Sequence, residues 1–122
     1  MEKIVKQTLL FDFYGELLTE HQKKIYEFYY LHDLSLGEIS EQEGISRQGV
    51  YDAIKRCDKL LEHYESKLRL LDKFSKNKKR IVRIQEITDT ILKNNNEYTK
   101  EEIIKRLKEI NLISNNVIDD LL

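Results

Sequence analysis

Apolar residues recur at steps of three and four along most of this chain, which is the spacing of one face of an α-helix. The longest run, with steps of 4, 3, 4, 3, 4 and 3, is Val50, Ile54, Cys57, Leu61, Tyr64, Leu68 and Leu71. A period of 3.5 residues held over three heptads predicts one helix from Arg47 to about Phe74, with a seam suited to packing against another helix. We expect this packing to be internal, with Cys57 as a small core residue.

Capping boxes mark where other helices begin. In such a box a Ser or Thr is followed three residues later by Glu or Gln, and the two side chains satisfy two free amides at the helix start. Three such boxes occur. Thr19-Gln22 opens a helix at about 19–32, Ser35-Glu38 opens one at about 35–43, and Thr99-Glu102 opens one at about 99–110. These signals define the helix starts without much ambiguity.

The remaining helices are predicted from apolar spacing. Residues 2–17 form the first helix, and the stripe from Ile84 to Ile91 marks another that ends at Asn94-Asn95-Asn96. Two short helices complete the chain, with Ser114 as a candidate N-cap. Because the chain has no proline and only four glycines, the expected fold is all-α.

The first two predicted helices carry more apolar side chains than one buried face requires. In the second, the residues spaced at i, i+3, i+4 and i+7 are Ile25, Phe28, Tyr29 and His32. Tyr26 and Tyr30 lie off this stripe, and we expect His32 to be a packed histidine. Either these helices are central in the core or they face a partner, and the surplus favours a homodimer built on them.

Charge is distributed in three blocks that the formal net charge of −1 conceals. Residues 1–46 sum to −5, residues 47–83 to +7 and residues 84–122 to −3. Five cations fall within the eight residues 76–83 of the central basic band. Such a segment can follow phosphates or an acidic protein surface, or be a solvated face or a linker.

Residues 35–61 have the pattern of a helix-turn-helix, a short capped helix followed by a glycine turn and a second capped helix. Gly44 can adopt the left-handed conformation that ends the first helix, and Ser46 caps the second. The shared core is expected to comprise Leu36, Ile39, Ile45, Val50 and Ile54. We therefore divide the chain into residues 1–75, with this unit and its long recognition helix, and residues 76–122, a basic segment with a C-terminal helical appendage.

If the second helix enters a major groove, its exposed side chains face base edges and phosphates. The candidate contacts on it are Arg47, Gln48, Tyr51, Asp52, Lys55, Arg56 and Lys59. The basic segment adds Lys76, Lys78, Lys79, Arg80 and Arg83. Asp52 would direct a negative charge at DNA, and Gly49 weakens the first turn of the helix.

These segments carry a resemblance to known proteins. The helix-turn-helix, with its Ser-Arg start and residues 56–61, resembles region 4 of bacterial sigma factors, which reads the −35 promoter element. Over residues 1–95 the chain is similar to the YlxM family of small bacterial proteins. The matching segments are LFDFYGELLT at 10–19, HQ at 21–22, YYLHDLSLGEI at 29–39 and SRQGVYD at 46–52.

The resemblance implies an accessory, regulatory role near the signal recognition particle. Its partners would be the GTPase Ffh, the particle's RNA or both, and it implies all-helical, dimeric proteins with no catalytic residues. Tyr51 and Asp52 stand where sigma factors typically place Arg and Gln, which argues against promoter reading. The alternatives are a transcriptional regulator that binds duplex DNA and an interaction protein in which the helix-turn-helix is only a scaffold.

No constellation of residues indicates an enzyme, a cofactor site or a metal site. The three histidines are scattered, no Cys/His spacing suits a metal, and no glycine-rich phosphate loop occurs. The single cysteine excludes an intramolecular disulfide, and no stretch approaches the ~20 apolar residues of a membrane span. Residues 1–6 lack a signal-peptide layout, so a cytoplasmic protein is expected.

Overall fold

The computed structural model describes residues 2–94 and 96–122, so Asn95, within the predicted helix end, lies outside the described residues, as does Met1. The described chain is all-α, as predicted, and has no β-strand. Its elements are α1 (Lys3–Tyr14), a 3-10 turn (Gly15–Leu17), α2 (Glu20–Tyr30), α3 (Leu36–Glu43), α4 (Arg47–Leu68), α5 (Leu70–Lys93) and α6 (Lys100–Leu121). They form two compact units, and the boundary lies between Leu71 and Asp72. No helix in the described residues is long and apolar enough to cross a membrane.

The predicted caps are present. The side chains of Thr19, Ser35 and Thr99 each accept a hydrogen bond from the backbone amide three residues later. The side chain of that later residue, Gln22, Glu38 or Glu102, accepts in turn from the backbone amide of the capping residue. These bonds satisfy amides that the first helical turn leaves free. The starts of α2, α3 and α6 therefore follow from local sequence alone.

The core of the first unit lies on one side of α4. Val50, Ile54, Cys57 and Leu61 are buried there, and α1, α2 and α3 pack against this helix. The seam is thus internal, as expected, and Cys57 is a core residue. Burial raises the pKa of its thiol to about 11.

The aromatic surplus of the first two helices is largely used within this core. Tyr14 and Tyr26 are fully buried, and the rings of Phe11 and Tyr26 stack with centroids 5.4 Å apart. The observation that favoured a dimer on these helices therefore has an internal explanation.

The predicted buried stripe of α2 is wrong in two places. Tyr26 is buried, whereas Tyr29 and His32 are exposed. Tyr26 can be buried because its hydroxyl donates to Asp58, which removes the cost of an unpaired polar group. His32 is exposed because α2 ends at Tyr30, and His32 lies in the turn that follows.

The single helix predicted from Arg47 to Phe74 is also wrong, since α4 ends at Leu68 and Arg69 adopts a left-handed φ of 57°. Side chains distant in sequence stabilise this break. The Leu70 amide donates to the Tyr14 hydroxyl at 3.0 Å, and the Leu71 amide donates to the Glu65 carboxylate at 2.9 Å. Tyr14 itself donates to Glu65 at 2.6 Å. Two free amides at the start of α5 are thereby satisfied.

The second unit consists of the rest of α5 and of α6. The basic run 76–83 lies inside α5 and is neither a separate segment nor a linker. One helix replaces the two short ones predicted at the C-terminus, and Ser114 lies inside α6. The apolar period from Ile103 to Val117 continues through Ser114, which explains why the helix does not restart there.

Candidate nucleic-acid interface

The helix-turn-helix has the geometry that its sequence predicts. Gly44 ends α3 with a φ of 68°, and the Ser46 hydroxyl accepts from the Gly49 amide at 3.0 Å to cap α4. Ile39 and Val50 are fully buried in the shared core. The other expected core side chains pack in it as well, with Ile54 buried and Leu36 and Ile45 partly buried.

Five of the candidate contacts on α4 share one side of the helix, which we call the α4 strip. They are Gln48, Asp52, Lys55, Arg56 and Lys59. The last four line a shallow depression of about 310 Å³. Lys55 is partly buried and the others are exposed. Three cations and one carboxylate give the strip a net positive charge, which suits a polyanion.

Two polar side chains of the strip are already paired with each other. The Gln48 amide nitrogen donates to the Asp52 carboxylate at 3.0 Å, across one turn of α4. The bond uses one of the two N–H groups of Gln48 and holds its amide beside a carboxylate, which repels the acceptor atoms of a base edge and the phosphates next to it. The arrangement favours contact with the phosphate backbone, which needs only the three cations.

Arg47 and Tyr51 are not part of the strip, although Tyr51 lies beside its member Lys55. The Arg47 guanidinium lies over Gly37 in the first turn of α3, where a Cβ would be only 3.2 Å from its Nε. Tyr51 is exposed, and Lys55 Nζ lies 5.4 Å from the centroid of its ring. The sequence made Arg47 a candidate for contact with base edges, but its side chain is directed towards α3.

A groove of about 680 Å³ adjoins α4 on the side of Tyr51 and Lys55. Its walls include Ile4 of α1 and Tyr29 of α2, and both side chains are exposed. No sequence pattern selected Ile4, and the apolar spacing of α2 placed Tyr29 in the core. Apolar spacing alone could not have found Tyr29, because it is three residues from the buried Tyr26 and therefore on the same side of α2.

A buried polar cluster behind the strip was not predicted at all. Asp58 is 8 % exposed, and its Oδ1 accepts hydrogen bonds from Gln7 Nε2 at 2.9 Å, the Tyr26 hydroxyl at 2.6 Å and the Tyr30 hydroxyl at 3.3 Å. No Lys, Arg or His of residues 2–94 or 96–122 pairs with this carboxylate. We call these four residues the Asp58 cluster. It joins α1 and α2 to α4 and so sets the direction of the strip.

The cluster alters the titration of its tyrosines. Burial, with the hydrogen bond to Asp58, raises the pKa of Tyr26 far above its usual value. Burial and the nearby Asp58 charge raise the pKa of Tyr30 to about 12. Both hydroxyls therefore stay protonated as donors throughout the neutral range.

The cations of the basic segment lie on α5 in the second unit, and several are paired. Lys76 lies 3.0 Å from Asp72, Arg80 lies 3.4 Å from Asp120, and Arg83 lies 3.2 Å from Glu109. Lys78 and Lys79 are exposed and form no ion pair with the described part of the chain. The charge open to a ligand is therefore smaller than the sequence indicated.

Comparison with known proteins identifies relatives along nearly the whole chain. The family model UPF0122, described as "Putative helix-turn-helix protein, YlxM / p13 like", matches residues 1–120. A UPF0122 protein of Clostridium kluyveri is 42% identical over 120 residues, 96% of this chain and 100% of its own length. One from Halalkalibacterium halodurans is 42% identical over 113 residues, 93% of this chain and 98% of its own. One from Caldanaerobacter subterraneus is 60% identical over 79 residues, 65% of this chain and 68% of its own.

These matches cover the helix-turn-helix and extend through α5 and α6, beyond residue 95 where the sequence resemblance ended. The similarity to YlxM inferred from the aromatic N-terminus and from residues 29–52 is confirmed. The chain belongs to the UPF0122 family of YlxM-like helix-turn-helix proteins.

Proposed function

We propose that this protein is a non-enzymatic regulatory protein that binds nucleic acid through the α4 strip. The observation that carries the proposal is the placement of Lys55, Arg56 and Lys59 on one side of a capped helix. A helix-turn-helix presents its second helix to nucleic acid with this side outward. Lys78 and Lys79 of α5 would add phosphate contacts.

Within this function, we place the protein in the signal recognition particle system, as a cytoplasmic accessory protein that contacts the GTPase Ffh, its RNA or both. This finer role is supported by the resemblance to YlxM. Contact through phosphates agrees with it, because structured RNA is bound largely through its backbone and shape.

The second candidate is a transcriptional regulator that reads duplex DNA as sigma region 4 does. It is supported by the helix-turn-helix itself. The Gln48–Asp52 hydrogen bond and the position of Arg47 over Gly37 count against direct base readout.

Fluorescence anisotropy separates the two candidates. The labelled protein is titrated with Ffh, with its RNA and with random duplex DNA, each at two salt concentrations. Saturable micromolar or tighter binding to Ffh or its RNA, with weak salt-sensitive binding to duplex, is the expected result. Tighter binding to duplex than to either would overturn the accessory role and favour the regulator.

A pair of double variants tests the strip. Arg56→Ala with Lys59→Ala should lower the salt dependence of RNA binding by about one unit for each phosphate that the protein no longer neutralises. Lys105→Ala with Lys108→Ala removes the same charge from exposed positions of α6 and should leave the slope unchanged. Equal effects of the two variants would show that only net charge matters and would remove the strip from the interface.

A further inference from the structure

The groove beside the α4 strip is lined mainly by apolar and aromatic side chains. It has a volume of about 680 Å³ and lies within the first unit, with walls from all four of its helices. Its lining includes Ile4, Tyr29, Leu34, Leu36 and Tyr51, and we call it the tyrosine groove. A concave site of this size, with a few polar groups among apolar ones, is typical of a ligand site.

Two aromatic rings in the tyrosine groove offer free surface to a ligand. The side chain of Tyr51 is 45 % exposed and that of Tyr29 is 37 % exposed. Tyr29 meets the ring of Tyr30 edge to face, with centroids 5.0 Å apart, and the Tyr30 hydroxyl donates to Asp58 at 3.3 Å. Because Tyr30 holds the Tyr29 ring in place, a ligand that stacks on it orders little that was mobile.

Two cations accompany these rings. Lys3 of α1 and Lys55 of α4 line the tyrosine groove, and neither forms an ion pair with the described part of the chain. Lys55 also lines the depression of the α4 strip, so the groove and the strip meet at this side chain. Its Nζ lies 5.4 Å from the centroid of the Tyr51 ring. A phosphate bound at Lys55 is therefore next to an exposed aromatic ring.

A cation beside an exposed ring matches the two parts of a nucleotide, because the phosphate binds the ammonium group and the base stacks on the ring. In a duplex the faces of each base are covered by the neighbouring base pairs, so only an unpaired base can reach such a ring. An apolar peptide could cover the rings but would leave the ammonium groups of Lys3 and Lys55 without an acceptor. The combination therefore favours a nucleotide over a peptide.

We propose that the tyrosine groove binds one unpaired base of an RNA whose phosphate backbone lies on the α4 strip. The base stacks on Tyr51, and Lys55 binds a phosphate next to it. The inference rests on the proposed function, since the strip has to hold the rest of the backbone. Asp33 and Glu38 also line the groove. Carboxylates repel phosphates but accept hydrogen bonds from the amino groups of adenine, cytosine and guanine, so these two suit the base and not the backbone.

Fluorescence anisotropy of the full chain with two labelled RNA hairpins tests this inference. One hairpin carries a single unpaired adenine in its stem, and the other has the same stem with every base paired. The stacking of one base on an aromatic side chain predicts that the wild type binds the first hairpin about 5- to 150-fold more tightly than the second.

A matched pair of substitutions assigns this preference to the groove. Tyr51→Leu should remove most of it, because leucine keeps the groove apolar but has no aromatic face, whereas Tyr51→Phe should retain it. Tyr51 is exposed, so neither change should affect folding. A second readout places 2-aminopurine at the unpaired position. At saturation, Tyr51→Phe should quench its fluorescence by stacking more strongly than Tyr51→Leu does.

Failure of the inference can be told apart from failure of the proposed function. Arg56→Ala with Lys59→Ala should weaken binding to both hairpins by the same factor, because the strip contacts the backbone of either. Equal affinity of the wild type for the two hairpins would overturn the inference and leave the strip in place. No saturable binding to either hairpin would overturn the proposed nucleic-acid binding and the inference with it.

Two further outcomes would also overturn the inference. A preference for the unpaired adenine that Tyr51→Leu leaves unchanged would place the contact outside the tyrosine groove. If Tyr51→Leu weakened binding to Ffh and left the affinity for both hairpins unchanged, the groove would be a docking site for protein and not for a base.

Discussion

Replacing Asp58 tests whether the buried cluster stabilises the first unit. One carboxylate oxygen accepts three hydrogen bonds, from Gln7, Tyr26 and Tyr30, and no described cation neutralises its charge. Asp58→Ala leaves these donors without their acceptor. Hydrogen bonds to a charged group contribute about 1.5–3 kcal/mol each, and the three are not additive.

The removal of a buried charge offsets part of this loss, since the desolvation cost of the carboxylate disappears. We therefore expect Asp58→Ala to lower the free energy of unfolding by about 3 kcal/mol, near the lower end for a broken buried network. Asp58→Asn should cost less than about 1 kcal/mol, because the amide keeps an acceptor oxygen.

Urea unfolding followed by near-ultraviolet circular dichroism is the assay. Six of the seven tyrosines lie in residues 1–71, so this signal reports on the first unit. Asp52→Ala, an exposed change on the same helix, is the control and should stay within about 0.5 kcal/mol of the wild type. An Asp58→Asn variant as unstable as Asp58→Ala, or an Asp58→Ala variant no less stable than the control, would refute this reasoning.

Three further predictions concern the first unit. The free energy of unfolding should fall as the pH rises from about 10, the ordinary tyrosine pKa, towards about 12, because the folded state holds the protons of Tyr26 and Tyr30 more tightly. Tyr26→Phe should flatten this slope in urea titrations by at most about 1.4 kcal/mol per pH unit. Tyr14→Phe removes the hydroxyl that accepts from the Leu70 amide and donates to Glu65, and it should lower the free energy of unfolding by about 1.5–3 kcal/mol in a urea titration. The control Tyr29→Phe, at an exposed ring, should lower it by less than about 0.5 kcal/mol. A Cβ added at Gly44 would have no other atom within 4 Å, so Gly44→Ala is opposed only by the left-handed backbone conformation. Thermal unfolding should show a loss of about 1–2 kcal/mol in the free energy of unfolding. Gly44→Asn should lose less, because Asn tolerates this conformation better than Ala does.

The features that the sequence predicted well depend on neighbouring residues. Capping boxes act over three positions, and the turn at Gly44 needs only a residue that tolerates a positive φ. The helix-turn-helix follows from these signals. It could be predicted correctly without knowledge of what packs against it.

The features that could not be predicted from the sequence depend on residues that are far apart along the chain. The break after Leu68 is stabilised by Tyr14, whose hydroxyl accepts a hydrogen bond from the Leu70 amide, 56 positions later in the chain. The apolar period runs across the break, so periodicity indicated one helix. Likewise, Arg80 and Arg83 are paired by acids 40 and 26 positions later, and the local charge run overstated the free charge of α5.

Asp58 is the instance in which the sequence held an unused signal. It follows Ile54 by four residues and precedes Leu61 by three, which places a carboxylate beside the buried side of α4. Apolar side chains of similar size would tolerate α4 rotated or shifted by a turn. Oxygen Oδ1 of Asp58 instead receives donors from α1 and from α2, and a different register would leave a buried carboxylate or its donors unpaired. The buried carboxylate of Asp58 thereby specifies the rotation of α4, and with it the direction in which Lys55, Arg56 and Lys59 face.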